Sequence, residues 1–132
     1  MSAEHDQILV VDFGSQVTQL IARRIRELSV YCEIHPFNSI DASFLERFNP
    51  KGIILSGGPA SVHGMEAPVA HKSIFGLNVP ILGICYGEQT LVQQLGGDVQ
   101  ASDNREFGRA FVEIRKRCSL FENIWAPGNK YE

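Results

Sequence analysis

Four short apolar runs, each closed by a glycine or proline turn, constrain this chain more than any other feature. Ile8-Leu9-Val10-Val11 is continuous, β-branched and too short for a helix, the pattern of a strand buried on both faces. Val30 to Ile34, stopped by His35-Pro36, reads as a second strand, Gly52 to Ser56 as a third and Val79 to Ile84 as a fourth. Helical patterns separate them. From Gln16 an apolar stripe of Val17, Leu20, Ile21, Ile25 and Leu28 predicts an amphipathic helix. Asp41 is placed to cap a short helix carrying Phe44, Leu45 and Phe48, and Asn49-Pro50 breaks it. Residues 60 to 67 read as a loop, and Pro68 as the first turn of a helix reaching about Phe75. Tyr86 to Leu95 reads as a helix with Leu91, Val92 and Leu95 facing inward and Gly96-Gly97 closing it. Phe107 to Ile114 alternates loosely, as antiparallel β. The expected fold is α/β, a doubly wound, mostly parallel sheet whose ligands sit beyond the carboxyl ends of the strands.

The chain has 132 residues, room for roughly one domain. We divide it into an N-terminal tail, 1–6, and a domain body, 7–132. Twelve Lys and Arg against fifteen Asp and Glu give a net charge of −3, which argues against binding nucleic acid or an anionic membrane surface. Three cysteines, Cys32, Cys85 and Cys118, are too few and odd in number for a disulfide framework. No apolar run approaches membrane-spanning length, and the acidic Met1 to Asp6 segment is unlike a signal peptide, so the expected location is cytoplasmic. No histidine among His5, His35, His63 and His71 makes a metal-binding spacing with a cysteine.

Chemistry is concentrated in Gly83-Ile84-Cys85-Tyr86-Gly87, a Gly-x-Cys-x-Gly turn between a buried strand and a helix. This is the cysteine counterpart of the serine nucleophile elbow. A sharp strand-to-helix turn strains its central residue and lifts that side chain above the sheet. At a helix N-terminus the dipole and free N–H groups favour thiolate over thiol. The Tyr86 N–H is then aimed at an oxyanion formed on whatever Cys85 attacks. A small cysteine between glycines also serves as a packing residue, and that reading stays open at this point. Ser56-Gly57-Gly58-Pro59 is the second signal, since consecutive glycines after a strand expose N–H groups to an anion; a plain turn is its alternative. Cys32 reads as a core residue, and Cys118 has no activating context. Asp12-Phe13-Gly14 mimics a kinase triplet without the rest of a kinase site.

Several stretches together resemble the class I glutamine amidotransferase family, and within it the GMP synthase branch. They are Asp12-Phe13-Gly14-Ser15-Gln16, Ile21 to Glu27, Leu55 to Val62, Gly83 to Gln89 and Arg105-Glu106-Phe107-Gly108. The resemblance implies a flavodoxin-like amidotransferase fold, here incomplete at the C-terminus, so that 7–132 is a partial domain. It implies that Cys85 attacks the side-chain amide of glutamine and releases ammonia, with the backbone N–H groups of Gly58 and Tyr86 as the oxyanion hole. Gly57 and Gln89 would help hold glutamine. Ammonia would pass to an ATP-pyrophosphatase (synthetase) domain that aminates xanthosine monophosphate to GMP, in a parent expected to be a homodimer. No cofactor is implied for this chain; ATP and magnesium belong to the synthetase domain. The family's His-x-Glu pair finds no match in the chain, so alone it is expected to be inactive or very weak. A catalytically silent binding module with this fold, and a deglycase-like or protease-like cysteine enzyme, are the alternatives from other classes.

Overall fold

A computed structural model describes residues 5–58, 67–100 and 109–132. They divide into two compact units, Met1–Val99 and Gln100–Glu132. In the first unit β1 (Gln7–Asp12), α1 (Val17–Glu27), β2 (Tyr31–Pro36), α2 (Ala42–Phe48), β3 (Gly52–Leu55), β4 (Ile81–Gly83) and α3 (Tyr86–Gln94) follow in order. The four strands form one parallel sheet in the order β2-β1-β3-β4. This is the flavodoxin-like start of a doubly wound sheet. Val11 pairs with Leu55 and Leu55 with Gly83, so β1, β3 and β4 end level with one another and their following turns leave from one edge. The expected α/β architecture is what the chain adopts.

Strand alternation decides which core each residue joins. Leu9, Val11, Ile53 and Leu55 join Phe13, Ile40, Leu45, Phe48, Ala70, Ile74 and Tyr86 on one face. Val10 and Cys32 meet Ala22 of α1 on the other. Asp41 caps α2 as anticipated, its Oδ1 accepting from the Phe44 N–H at 2.8 Å, and Asn49 ends the helix in the left-handed region at φ 52°. Gly96 at φ 91° and the Gly97 N–H on the Val92 carbonyl at 2.8 Å close α3.

Four expectations need correction. His35-Pro36 does not stop β2, which runs through both and pairs them with Val11 and Asp12; proline is tolerated there because β2 is an edge strand. The buried face of α1 is Thr18 and Ala22, with Ile21 and Ile25 half-buried; Val17, Leu20 and Leu28 are exposed. Small residues face the sheet because the helix lies close over Val10 and Cys32. Similarly, α3 buries Tyr86, Gly87 and Thr90 and only partly Leu91, leaving Val92 and Leu95 outside. Pro68 starts no helix: 67–70 carry no regular secondary structure and a 3-10 helix follows at Lys72–Gly76. Side chains of α3 take up the Pro68 and Ala70 backbone groups that a helix would need for itself.

At the β2 edge of the sheet, the Tyr31 hydroxyl donates to Glu33 Oε2 at 2.6 Å and His35 Nε2 lies 3.0 Å from Glu33 Oε1. These bonds hold the Glu33 carboxyl below its ordinary value and raise the Tyr31 phenol above its own. In the second unit β5 (Val112–Glu113) pairs antiparallel with β6 (Lys130–Tyr131), so the antiparallel reading of Phe107 to Ile114 holds for these two residues, while 109–111 and Ile114 are not strand. Residues 107 and 108, with the rest of the Arg105 to Gly108 motif, residues 1–4 of the expected tail and all of the expected 60–67 loop except Ala67 lie outside the described residues.

Candidate active site

The turn after β4 begins with one more ladder bond, the Ile84 N–H to the Leu55 carbonyl at 2.9 Å. The chain then reverses. The Gly87 N–H donates to the Ile84 carbonyl at 3.0 Å, closing a turn around Cys85 and Tyr86, and the Gln89 N–H donates to the Cys85 carbonyl at 3.2 Å to start α3. Within this turn Cys85 has φ 55° and ψ −119°, a conformation side-chain-bearing residues rarely adopt. Its side chain is exposed at the helix N-terminus. Free N–H groups and the helix dipole at such a position favour negative charge.

Gly87 explains how the helix reaches so close to the sheet. A Cβ there would stand 1.9 Å from the Leu55 carbonyl oxygen, so only glycine lets α3 cross the end of β3. Gly58 sits under a comparable constraint. A Cβ on it would meet Phe13 Cβ at 2.6 Å and Tyr86 Cδ1 at 3.1 Å. The Phe13 and Tyr86 rings meet edge to face with centroids 5.4 Å apart. Gly58 is therefore held between the turn after β1 and the residue that follows the cysteine. Gly57 is buried beside Ser15, whose Oγ is 3.0 Å from where a Gly57 Cβ would be.

The structure thus brings Gly57, Gly58, Cys85 and Tyr86 to one edge of the sheet. Gln89 is half-buried one helical turn beyond Cys85. Glu88 is exposed. Cys32 is in the core, its thiol 3.5 Å from the Ala22 carbonyl, while Cys118 is exposed in the second unit. His35 is engaged by Glu33 on β2, at the opposite edge of the sheet from β4, and His71 Nδ1 accepts from the Ser73 N–H. A cavity of about 560 Å³ in the second unit is walled partly by stacked Trp125 and Tyr131 and contains none of the candidate residues.

Two sets of supporting contacts escaped the sequence reading. Asp12 Oδ1 accepts from the Gly14 and Ser15 N–H groups at 2.7 and 3.3 Å, shaping the turn after β1. Buried Thr18 Oγ1 lies 3.2 Å from that carboxylate and 2.7 Å from buried Ser56 Oγ, which in turn lies 2.8 Å from the Val11 carbonyl, and the two hydroxyl protons are shared along this line. The network fastens the ends of β1 and β3 together directly before the two glycines. The second set is that of Tyr86, Thr90 and Gln94, spaced four apart on α3. The Tyr86 hydroxyl donates to the Pro68 carbonyl. Gln94 Oε1 accepts from the Ala70 N–H at 2.9 Å and from Thr90 Oγ1 at 3.0 Å, and Gln94 Nε2 donates to the Ala70 carbonyl at 2.8 Å. Burial raises the Tyr86 phenol above its ordinary value, with a bond to Thr90 opposing the rise, so it stays a neutral donor at neutral pH. Hydrogen-bonding side chains four residues apart, at Tyr86, Thr90 and Gln94, were the available signal.

A cysteine on a strained strand-to-helix turn, flanked by a second glycine turn on the same parallel sheet, defines the protein class. The Glutamine amidotransferase class-I family profile matches residues 9–127, and the chain belongs to that family. At finer grain, it is 61% identical over 130 residues to the GMP synthase [glutamine-hydrolyzing] of Nitrobacter hamburgensis and 60% identical over 132 residues to that of Rhodopseudomonas palustris strain BisB18. These alignments cover 98% and 100% of the chain and 24% of each relative, so the chain spans about a quarter of the relatives' length. Among solved structures, a candidate GMP synthase component from Thermoplasma acidophilum matches with TM-score 0.71 and 31% identity, over 98% of this chain and 67% of that one.

Proposed function

We propose that the chain is the glutamine-hydrolysing part of a GMP synthase and that Cys85 is its nucleophile. The observation that carries this reading is the Cys85 conformation, φ 55° and ψ −119°, with the side chain exposed at the start of α3. Nothing in packing rewards such strain on an exposed residue; presenting a reactive group does.

In the proposed reaction the deprotonated Cys85 Sγ attacks the γ-carbonyl carbon of glutamine. The carbonyl oxygen takes the negative charge and is met by the Gly58 and Tyr86 N–H groups. Collapse of this tetrahedral species breaks the carbon–nitrogen bond, and the nitrogen takes up the proton that the Cys85 thiol gave up and leaves as ammonia. Water then cleaves the γ-glutamyl thioester to glutamate and regenerates the thiol. Gly57 shapes the loop beneath the substrate, and Gln89 is assigned to hold glutamine. Neither His35 nor His71 is assigned the proton relay, because both are engaged elsewhere. Ammonia goes on to an ATP-dependent amination of xanthosine monophosphate by a synthetase partner; ATP and magnesium serve that step, and no residue of this chain is assigned to them.

The test is ammonia release from glutamine by the full encoded protein and by its Cys85→Ala and Cys118→Ala variants. Cys85→Ala is expected to lose about a thousandfold or more of the rate, with Cys118→Ala near wild type. Cysteine-independent release, or none from wild type with glutamine, overturns the reading.

A further inference from the structure

We infer that Gln94, two helical turns beyond the nucleophile turn, is a positioning residue that sets the oxyanion hole through Tyr86; the inference rests on the glutaminase reading above. The path is continuous. Gln94 pairs with both backbone groups of Ala70, as a neighbouring strand would, and Thr90 orients its amide. The Gln94 amide therefore anchors Ala70, in a segment outside the four-stranded sheet. Two residues earlier, the Pro68 carbonyl accepts from the Tyr86 hydroxyl. That bond fixes the far end of the Tyr86 ring, whose Cδ1 bounds the space over Gly58 together with Phe13.

The consequence is specific. Gln94 touches neither the thiol nor Gly58, but without it the Pro68 carbonyl loses its support and the ring loses its fixed end. Gly58 can then shift against Tyr86, and the two N–H groups proposed to share the oxyanion no longer converge. Small displacements of such donors are costly because their value lies in being in place before the charge forms. Reactions at Cys85 that create no oxyanion are not affected by this path.

The experiment uses two probes on the full encoded protein. A glutamine analogue with a γ-aldehyde adds to the thiol as a hemithioacetal and needs the oxyanion hole, whereas alkylation by iodoacetamide, in which the thiolate displaces iodide from the reagent, does not. Alkylation is read at Cys85 by peptide mass spectrometry, since Cys118 is also exposed. Gln94→Ala is expected to weaken aldehyde inhibition about tenfold while the iodoacetamide rate at Cys85 changes less than twofold. Gln94→Glu keeps the volume and the acceptor side but loses the donor to Ala70, and is expected to fall between wild type and Gln94→Ala. Tyr86→Phe should weaken the aldehyde similarly, and adding Gln94→Ala to it should cost little more, because both act on one path. Equal effects on both probes, unchanged aldehyde affinity in the Gln94 variants, or losses that multiply in the double variant overturn the inference. Failure of the aldehyde to inhibit the wild-type protein removes the glutaminase reading itself and is thereby told apart.

Discussion

At the scale of single residues the candidate site is built from atoms that are missing. Gly87 and Gly58 matter for the Cβ they lack, which lets α3 cross β3 and lets Phe13 and Tyr86 close on the loop after β3. Cys85 is the converse, a side chain kept where glycine would be more comfortable. That conflict is measurable. Cys85→Gly relieves the strain of φ 55° and is expected to be about 1 kcal/mol more stable than Cys85→Ala, although glycine alone ordinarily costs stability. Urea unfolding of both variants checks it; if the alanine variant is the more stable, the turn is not strained as described.

At the scale of elements, packing faces were less legible than element positions. Apart from the helix expected at Pro68, the strands and helices fall close to where the apolar runs and caps put them, because those signals are local. The buried faces of α1 and α3 do not follow the largest apolar side chains, since close approach to the sheet selects Thr18, Ala22 and Thr90 over Leu20, Leu28 and Leu95. At β2, the Tyr31-Glu33-His35 cluster gives the strand a pH response. The Glu33 carboxyl is lowered from 4.5 on folding, so its contribution is present above about pH 4.5 and is lost as pH falls through the lower folded value. Glu33→Gln is therefore expected to flatten the acid limb of the stability curve below pH 4.5 while leaving its shape near pH 7 unchanged. Because both partners are substantially exposed, the effect is small, and denaturant midpoints from pH 6 to pH 3 are the suitable measurement. An equally steep acid limb in the variant contradicts the assignment.

At the scale of the molecule, the sheet of the first unit decides what meets at the site. The parallel register aligns the ends of β1, β3 and β4, so turns far apart in sequence deliver Phe13, Gly58 and Cys85 to one edge. Leu55 lies where that register, the core and α3 converge, and it is fully buried. Leu55→Ala is expected to destabilise the protein by about 2–5 kcal/mol, whereas Leu28→Ala, at a side chain 77% exposed, should stay within about 0.5 kcal/mol. Circular dichroism follows both, since α1, α2 and α3 all belong to this unit.

The sequence by itself determined the parallel α/β alternation, the cap at Asp41, the break at Asn49, the burial of Cys32 and the placing of a cysteine on a strand-to-helix turn. Each of these depends on neighbours within a few residues or on periodicity along one element. Only the tertiary structure decided that Gly58 lies against Tyr86, that Thr18 and Ser56 tie β1 to β3, and that Gln94 holds Ala70 in place of a helix at Pro68. Those contacts join residues 24 to 38 positions apart in the Gln94–Ala70 and Thr18–Ser56 pairs, and no local pattern encodes which distant backbone group a buried amide or hydroxyl will find.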